Sequence, residues 1–100
     1  MEERLEEVKR WAKDLRKEEP RSPEQKLGGF PLGARCLDKC RASLLGWEGE
    51  YHYGCPMDQS FLVAAGVTAD EFREFVATGT PDIGVDKWIR LHAHARAGAE

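Results

Sequence analysis

The residues best suited to chemistry lie in a locally basic segment in the first half of the chain. Residues 20–47 carry five basic and two acidic side chains, whereas residues 48–86 carry eight acidic side chains and a single arginine. On a helix through the basic segment, Arg35 and Lys39 lie one turn apart with Asp38 between them. Segment 21–41 therefore indicates a candidate ligand site made of Arg21, Lys26, Gly28, Gly29, Arg35, Asp38 and Lys39.

Such a segment is suited to hold a small phosphate or carboxylate. Arginine side chains and backbone N–H groups at helix ends are recurrent anion ligands, and Asp38 would either orient Arg35 or act on the ligand. The alternative is an internal salt bridge between Arg35 and Asp38 that pins the preceding loop, with Lys39 solvated. The charge pattern favours this alternative, because charge on a helix face is usually solvated. The segment lacks the Gly-x-x-x-x-Gly-Lys-Ser/Thr pattern of a phosphate loop.

Four further side chains are of types that bind zinc, namely Cys36, Cys40, His52 and Cys55. Cys36 and Cys40 share the apolar arc of the second predicted helix, which is typical of buried thiols. We therefore predict no metal and no cofactor. The sequence places no histidine beside a sulfur, so it does not favour a catalytic thiol either.

The remaining polar candidates have structural explanations. Asp58 follows Pro56 in the first turn of a predicted helix and is expected to cap it. His92 and His94 point away from each other on a helix, so they would not share a ligand. We expect His92 to lie beside Trp88 and His94 to be solvated. Whether the chain is an enzyme stays open.

Five helices are predicted to position these residues, which indicates an all-α fold with a single small domain. They span residues 3–18, 33–45, 56–65, 69–78 and about 80–96, with glycine or proline at most boundaries. Thr68 and Glu71 match a capping box at the start of the fourth helix. Residues 1–19 are expected to form a leading charged amphipathic helix, and residues 20–100 the helical core domain. The predicted core consists of Leu37, Cys40, Leu44, Phe61, Leu62, Phe72, Phe75, Val76, Trp88 and Ile89.

The leading helix has a narrow apolar stripe. Leu5, Val8, Ala12 and Leu15 repeat at spacings of three, four and three residues. A stripe of this width packs either on the chain's own body or, at coiled-coil spacing, on a second chain. Both alternatives stay open, and the second predicts a homo-oligomer formed through residues 3–18.

Composition disfavours two classes of partner. The net charge of -3 disfavours nucleic acid as a ligand, because neutralising several phosphates takes a surplus of cations. The longest apolar run, residues 61–67, is about a third of a bilayer span, so no membrane partner is expected. The acidic N-terminus lacks the apolar core of a secretory signal. We therefore predict a cytoplasmic protein with reduced thiols.

Several short motifs occur in a specific order between residues 20 and 89. They are Pro20-Arg-Ser-Pro23, Leu27-Gly-Gly29, Ala34-Arg35, Leu37-Asp-Lys39, Arg41-Ala42, Gly49-Glu-Tyr51, Cys55-Pro56 and Asp58-Gln59. In this order the chain resembles the bacterial family called domain of unknown function 5069. The resemblance implies a small helical, cytoplasmic, bacterial domain and no particular activity. The first helix and the His92-Ala-His94 tail lie outside the matched part.

Two functions remain consistent with these observations. The first is a small helical interaction or adaptor domain, which is favoured because the sequence contains no complete catalytic set. The alternative is a small-anion binding domain, with or without enzymatic activity, that uses segment 21–41.

Overall fold

The computed structural model describes the backbone of residues 3–98 and the side chains of residues 3–93. The described residues form five α helices and no β strand: α1 (Leu5–Trp11), α2 (Gly33–Leu45), α3 (Pro56–Ala65), α4 (Ala69–Val76) and α5 (Asp82–Gly98). The predicted all-α fold is therefore confirmed. His94, which we expected to be solvated, lies outside the described side chains.

Local sequence signals account for most of the helix ends. α2 ends at Gly46 and α3 at Gly66, and both glycines have a positive φ that side chains with a Cβ rarely adopt. α3 begins with proline at its first position, where a missing N–H costs nothing. At the start of α4, Thr68 accepts from Glu71 N and Glu71 accepts from Thr68 N. This reciprocal pair confirms the predicted capping box.

The first helix is shorter than predicted, since it ends at Trp11 rather than at residue 18. Ala12 is extended, with φ -75° and ψ 146°. Beyond it, the Asp14 carboxylate accepts from the backbone and the guanidinium of Arg16. Aspartate side chains compete in this way with the helical hydrogen bonds, so a local turn replaces the expected second half of the helix.

α2 is the central helix of the domain. It packs against α1, α3 and α4, while α5 lies on α3. None of its residues is exposed, and nine of its thirteen residues are buried. Of the ten predicted core residues, seven are buried and three, namely Leu44, Phe75 and Trp88, are partly buried against the same cluster. The core was thus predicted well from hydrophobic periodicity alone.

The leading segment packs on its own domain. Val8 and Leu15 of the predicted stripe are buried. Trp11 Nε1 donates to the carbonyl of Gly79 at 2.9 Å, and Arg4 N donates to the carbonyl of Ala77 at 2.7 Å. These contacts fasten α1 to the connection between α4 and α5. The buried residues of the stripe thus pack within their own chain. Association of residues 3–18 with a second chain stays a prediction.

Candidate functional site

The polar side of α2 is buried rather than solvated. Asp38, Lys39 and Arg41 have exposed fractions of 1%, 5% and 2%. We expected Asp38 and Lys39 on a face turned away from the core, and this expectation is wrong. Arg21, from the segment before α2, pairs with Asp38, while Cys55 and Asp58, at the start of α3, contact Lys39. Two further parts of the chain therefore cover the face that helical periodicity assigned to solvent.

Asp38 is paired with Arg21. The Arg21 guanidinium donates to both carboxylate oxygens at 3.0 to 3.2 Å, and the backbone N–H of Arg21 donates to Oδ2 at 2.8 Å. The internal salt bridge that we considered between Arg35 and Asp38 is therefore wrong in its partner, although Asp38 does pin the preceding loop. Three donors from one residue satisfy a carboxylate whose burial would otherwise be costly.

Asp82, at the start of α5, extends this pair into a network. It accepts from Arg21 Nη1 at 2.6 Å and from Arg41 Nη1 at 2.7 Å, and Arg41 Nη2 donates to the carbonyl of Thr80 at 3.0 Å. We call Arg21, Asp38, Arg41 and Asp82 the Arg–Asp network. Through it, the loop before α2, α2 itself and α5 are joined by alternating positive and negative charges.

The network shifts the pKa values of Asp82, Arg41 and Arg21. Burial acts to raise the pKa of Asp82, but hydrogen bonds from Arg21 and Arg41 outweigh burial, and the pKa of this carboxyl is lowered. Burial lowers the pKa of Arg41 against the opposing effect of Asp82. For Arg21, hydrogen bonds to Asp38 and Asp82 outweigh the opposing effect of burial and raise the pKa. Asp82 therefore favours the charged forms of both arginines, while Arg41 also bears the cost of deep burial.

Arg35 does not join the network through its charge. Its Nη1 donates to the backbone carbonyl of Arg21 at 3.3 Å, and its guanidinium lies 5.7 Å from the centre of the Tyr51 ring. This arrangement is a cation–π contact that holds the loop after α2 against the loop before it. Arg35 and Arg21 are the partly exposed residues of the predicted anion site.

The predicted glycine loop is used for packing. Gly28 has a φ of +61°, and a Cβ at this position would collide with the side chain of Ile89 in α5. Its backbone N–H donates to the carboxylate of Asp86. Hydrogen bonds from Arg90 lower the pKa of Asp86. Lys26 and Gly29 are exposed. We expected the backbone at Gly28 to approach a ligand closely. It packs closely against α5 instead.

A second polar cluster contains Lys39, Cys55 and Asp58, which we call the Lys39 cluster. Lys39 Nζ lies 3.0 Å from Asp58 Oδ2 and donates to Cys55 Sγ at 3.1 Å. Asp58 also accepts from the backbone N–H of Gly54 at 2.9 Å, so it fixes the turn before α3 instead of capping the helix as we expected. Burial acts to lower the pKa of Lys39, but the hydrogen bonds to Cys55 and Asp58 outweigh it and raise the pKa.

Sequence reasoning missed this cluster because it joins residues 16 to 19 positions apart on two helices. A signal was available in the order Cys-Pro-x-Asp at a helix start, which places a thiol and a carboxylate at one helix end. The sequence does not indicate that a lysine of α2 points to the same place. Only the packing of α3 on α2 brings the three side chains together.

The remaining thiols and the described histidines lie in separate surroundings. Cys36 and Cys40 are buried, and burial raises the pKa of Cys40 to about 12 and that of Cys36 further still. His52 is exposed. Among the described residues, no group of three or more His, Cys, Asp or Glu side chains is arranged to hold a metal ion. His92 lies against Trp88 with ring centres 4.2 Å apart, which confirms the expected contact.

The seven residues predicted to bind an anion are thus distributed over separate interactions. Arg21 and Asp38 belong to the Arg–Asp network and Lys39 to the Lys39 cluster. Gly28 bonds to Asp86, and Arg35 lies on Tyr51. The arrangement ties the two loops and α5 to α2 by charged hydrogen bonds.

Fold and site together define a small all-α domain whose central helix is held by buried ion pairs. The chain belongs to the family described as domain of unknown function, DUF5069, whose model matches residues 17–100. The family resemblance is therefore confirmed, and the match also includes the His92-Ala-His94 tail that we had placed outside it. α1 precedes the matched region. A comparison with curated proteins found no match. Within the described residues, no helix combines the length and the apolar character needed to cross a membrane.

Proposed function

We propose that this protein is a protein-interaction domain that associates with a second copy of itself through the exposed side of α3. This side, the α3 face, consists of Pro56, Met57, Gln59, Ser60, Val63 and Ala64, all of which are exposed. Val63 has an exposed fraction of 75% and Met57 of 48%. The observation that carries the proposal is that the α3 face contains no charged side chain.

The absence of charge on the α3 face follows from how α3 packs. Its one acidic residue, Asp58, is turned inward and 2% exposed, where it pairs with Lys39. The exposed sides of three other helices carry charges: Glu6, Lys9 and Arg10 on α1, Asp70, Glu71 and Glu74 on α4, and Lys87 and Arg90 on α5. An uncharged, partly apolar patch is unusual in a chain with 33% charged residues.

The charge distribution is compatible with a second copy as the occupant. Each chain has a net charge of -3, and contact through a neutral surface adds no close like-charge pairs to the weak, salt-screened repulsion between two copies. A twofold contact brings the same patch of both chains together, and an uncharged patch is compatible with itself. Beside Val63, a shallow depression of about 220 Å³ is lined by Gly66, Val67, Thr68 and Glu71. It offers a place for an apolar side chain of the partner.

The α3 face replaces residues 3–18 as the favoured contact. Val8 and Leu15, which would form the seam of a coiled coil, are buried in their own domain. The small-anion alternative has weaker support, because Arg21, Asp38 and Lys39 already bond to groups of the same chain. We further propose a bacterial, cytoplasmic protein, as the family resemblance implies. Its three cysteines are free, which suits a reducing compartment.

Sedimentation velocity over a wide range of protein concentration tests the proposal. We expect the wild-type chain to pass from monomer to dimer as concentration rises. Val63→Glu should shift this transition to at least about tenfold higher concentration, because two like charges would face each other in the contact. Val63 is largely exposed, so the variant should fold normally.

Leu91→Glu is the matched control. Leu91 lies on α5 and is 69% exposed, close to the exposure of Val63. This variant adds the same charge elsewhere and should dimerise nearly as the wild-type chain does. A wild-type chain that stays monomeric at all concentrations would contradict self-association. Equal effects of the two variants would contradict the α3 face as its site.

A further inference from the structure

The Lys39 cluster places an amine and a thiol in direct contact. Lys39 Nζ lies 3.1 Å from Cys55 Sγ, and the lysine side chain is almost completely buried. A buried ammonium needs one anionic partner, and Asp58 at 3.0 Å supplies it. The contact with sulfur is therefore additional to what charge pairing requires. This contact joins Nζ of a residue in α2 to Sγ of the residue immediately before α3.

Cys55 is also the accessible thiol of the three. Cys36 and Cys40 are fully buried in the core, whereas Cys55 is partly exposed. Cys55 is the residue immediately before Pro56 at the N-terminus of α3, where the helix dipole favours negative charge. We therefore expect small oxidants in solvent to react with Cys55 rather than with Cys36 or Cys40.

We propose that Cys55 and Lys39 form an oxidative modification site, at which peroxide links Sγ to Nζ through one bridging oxygen atom. This inference is independent of the proposed association through the α3 face. The reaction partner of the Cys55 thiol is the Lys39 amine of the same chain, and the oxidant is a peroxide.

The reaction balances with two molecules of peroxide. The first transfers one oxygen to the sulfur, so that Cys55 becomes a sulfenic acid and water leaves. The next step needs Lys39 as the neutral amine, so it follows once the ammonium has lost a proton to solvent. The second peroxide takes one hydrogen from S–OH and one from the amine, and its O–O bond is reduced to give two waters. The N–O bond closes, and both sulfur and nitrogen have been oxidised.

Geometry favours a bridge that contains oxygen over a direct bond between sulfur and nitrogen. A single oxygen spans the two atoms at nearly the separation they already have. A direct S–N bond would need them to come much closer, and both side chains are held by packed helices. The product would tie α2 to the start of α3 covalently, and an excess of thiol would reverse it.

Peptide mass spectrometry of the native full-length chain treated with hydrogen peroxide tests the inference. We expect a peptide pair that joins Lys39 to Cys55, with a mass equal to the sum of both peptides plus one oxygen and minus two hydrogens. Dithiothreitol should release the pair. Cys55 should react at least about tenfold faster than Cys36 and Cys40, which serve as controls in the same molecule.

Two variants and an unfolded sample serve as controls. Cys55→Ser should abolish the linked peptide. Lys39→Arg keeps a cation for Asp58, so this variant should fold and show oxidised Cys55 without a link. When peroxide is added to the wild-type chain unfolded in urea, the link should not form, because the two side chains are then apart. Wild-type Cys55 that resists peroxide as Cys36 does, or that oxidises without linking to Lys39, would overturn the inference.

Discussion

At the scale of single residues, the most informative feature is how this chain buries charge. Asp38 and Arg41 are nearly inaccessible to solvent, and each forms an ion pair within the Arg–Asp network. Removing an ion from water costs several kcal/mol, and paired charges with well-formed hydrogen bonds recover most of this cost. A buried ion pair therefore matters mainly when one partner is lost. The charges of α2 are best understood as structural connections between segments.

Replacement of Asp38 by alanine tests this interpretation. The change leaves the backbone N–H of Arg21 without its acceptor and removes the anion against the Arg21 guanidinium. We expect the free energy of unfolding to fall by about 3 kcal/mol, as measured by urea denaturation. Glu50→Ala removes an exposed loop carboxylate and should change stability by less than about 0.5 kcal/mol. Similar losses in both variants would contradict a structural role for the buried pair.

At the scale of elements, the loop before α2 is fitted closely to α5. Gly28 faces Ile89 so tightly that no side chain fits between them, and its N–H bonds to Asp86. Gly46, at the end of α2, has a similar positive φ of +73°, but a side chain added there would have open space for its Cβ. Both glycines therefore have a left-handed backbone, but only Gly28 lacks room for a side chain.

This contrast predicts different costs for alanine at the two positions. Gly46→Ala should lower the free energy of unfolding by about 1 kcal/mol, the cost of left-handed backbone for a residue with a Cβ. Gly28→Ala should cost about 2 kcal/mol more, because the added methyl group also pushes α5 away from the loop. Urea denaturation measures both. Equal losses would mean that the loop does not pack closely on α5.

At the scale of the whole molecule, Asp82 connects segments that are far apart in sequence. It is 41 residues from Arg41 and 61 residues from Arg21, and it bonds to both. Its pKa is lowered in the folded chain because the hydrogen bonds from the two arginines outweigh burial. A depressed pKa contributes stability above the unfolded value, near pH 4, and this contribution is lost as pH falls through the folded value.

The free energy of unfolding should therefore decrease as pH falls below about 4. Asp82→Asn removes the titrating group, so the variant should be less stable than the wild-type chain at pH 7 and should show a shallower decrease in acid. Urea denaturation at a series of pH values measures the slope. Asp70→Asn, on the exposed side of α4, controls for loss of one carboxylate. If Asp82→Asn and the wild-type chain have equal slopes, the network does not contribute to acid sensitivity.

The sequence by itself determined the class of fold and most helix boundaries. Glycine and proline positions, the Thr68–Glu71 capping box and hydrophobic periodicity act within a few residues, so local chemistry is sufficient to predict them. The core followed from the same periodicity. α1 was the exception, because the apolar stripe continues past Ala12 while Asp14 forms a local turn that ends the helical pattern. Periodicity identified the buried residues there, but not the conformation that buries them.

Only the tertiary structure decided which charged residues belong together. A helical pattern places Asp38 and Lys39 opposite the core, and it gives no information about the loops that later cover that side. The partner of Asp38 is 17 residues away and that of Lys39 is 19 residues away. Pairing over such distances depends on how α3, α5 and the loop before α2 pack on α2. The physical reason is that a buried charge must pair with a group that the folded chain places within hydrogen-bond distance. The spacing of residues in the sequence does not give that distance.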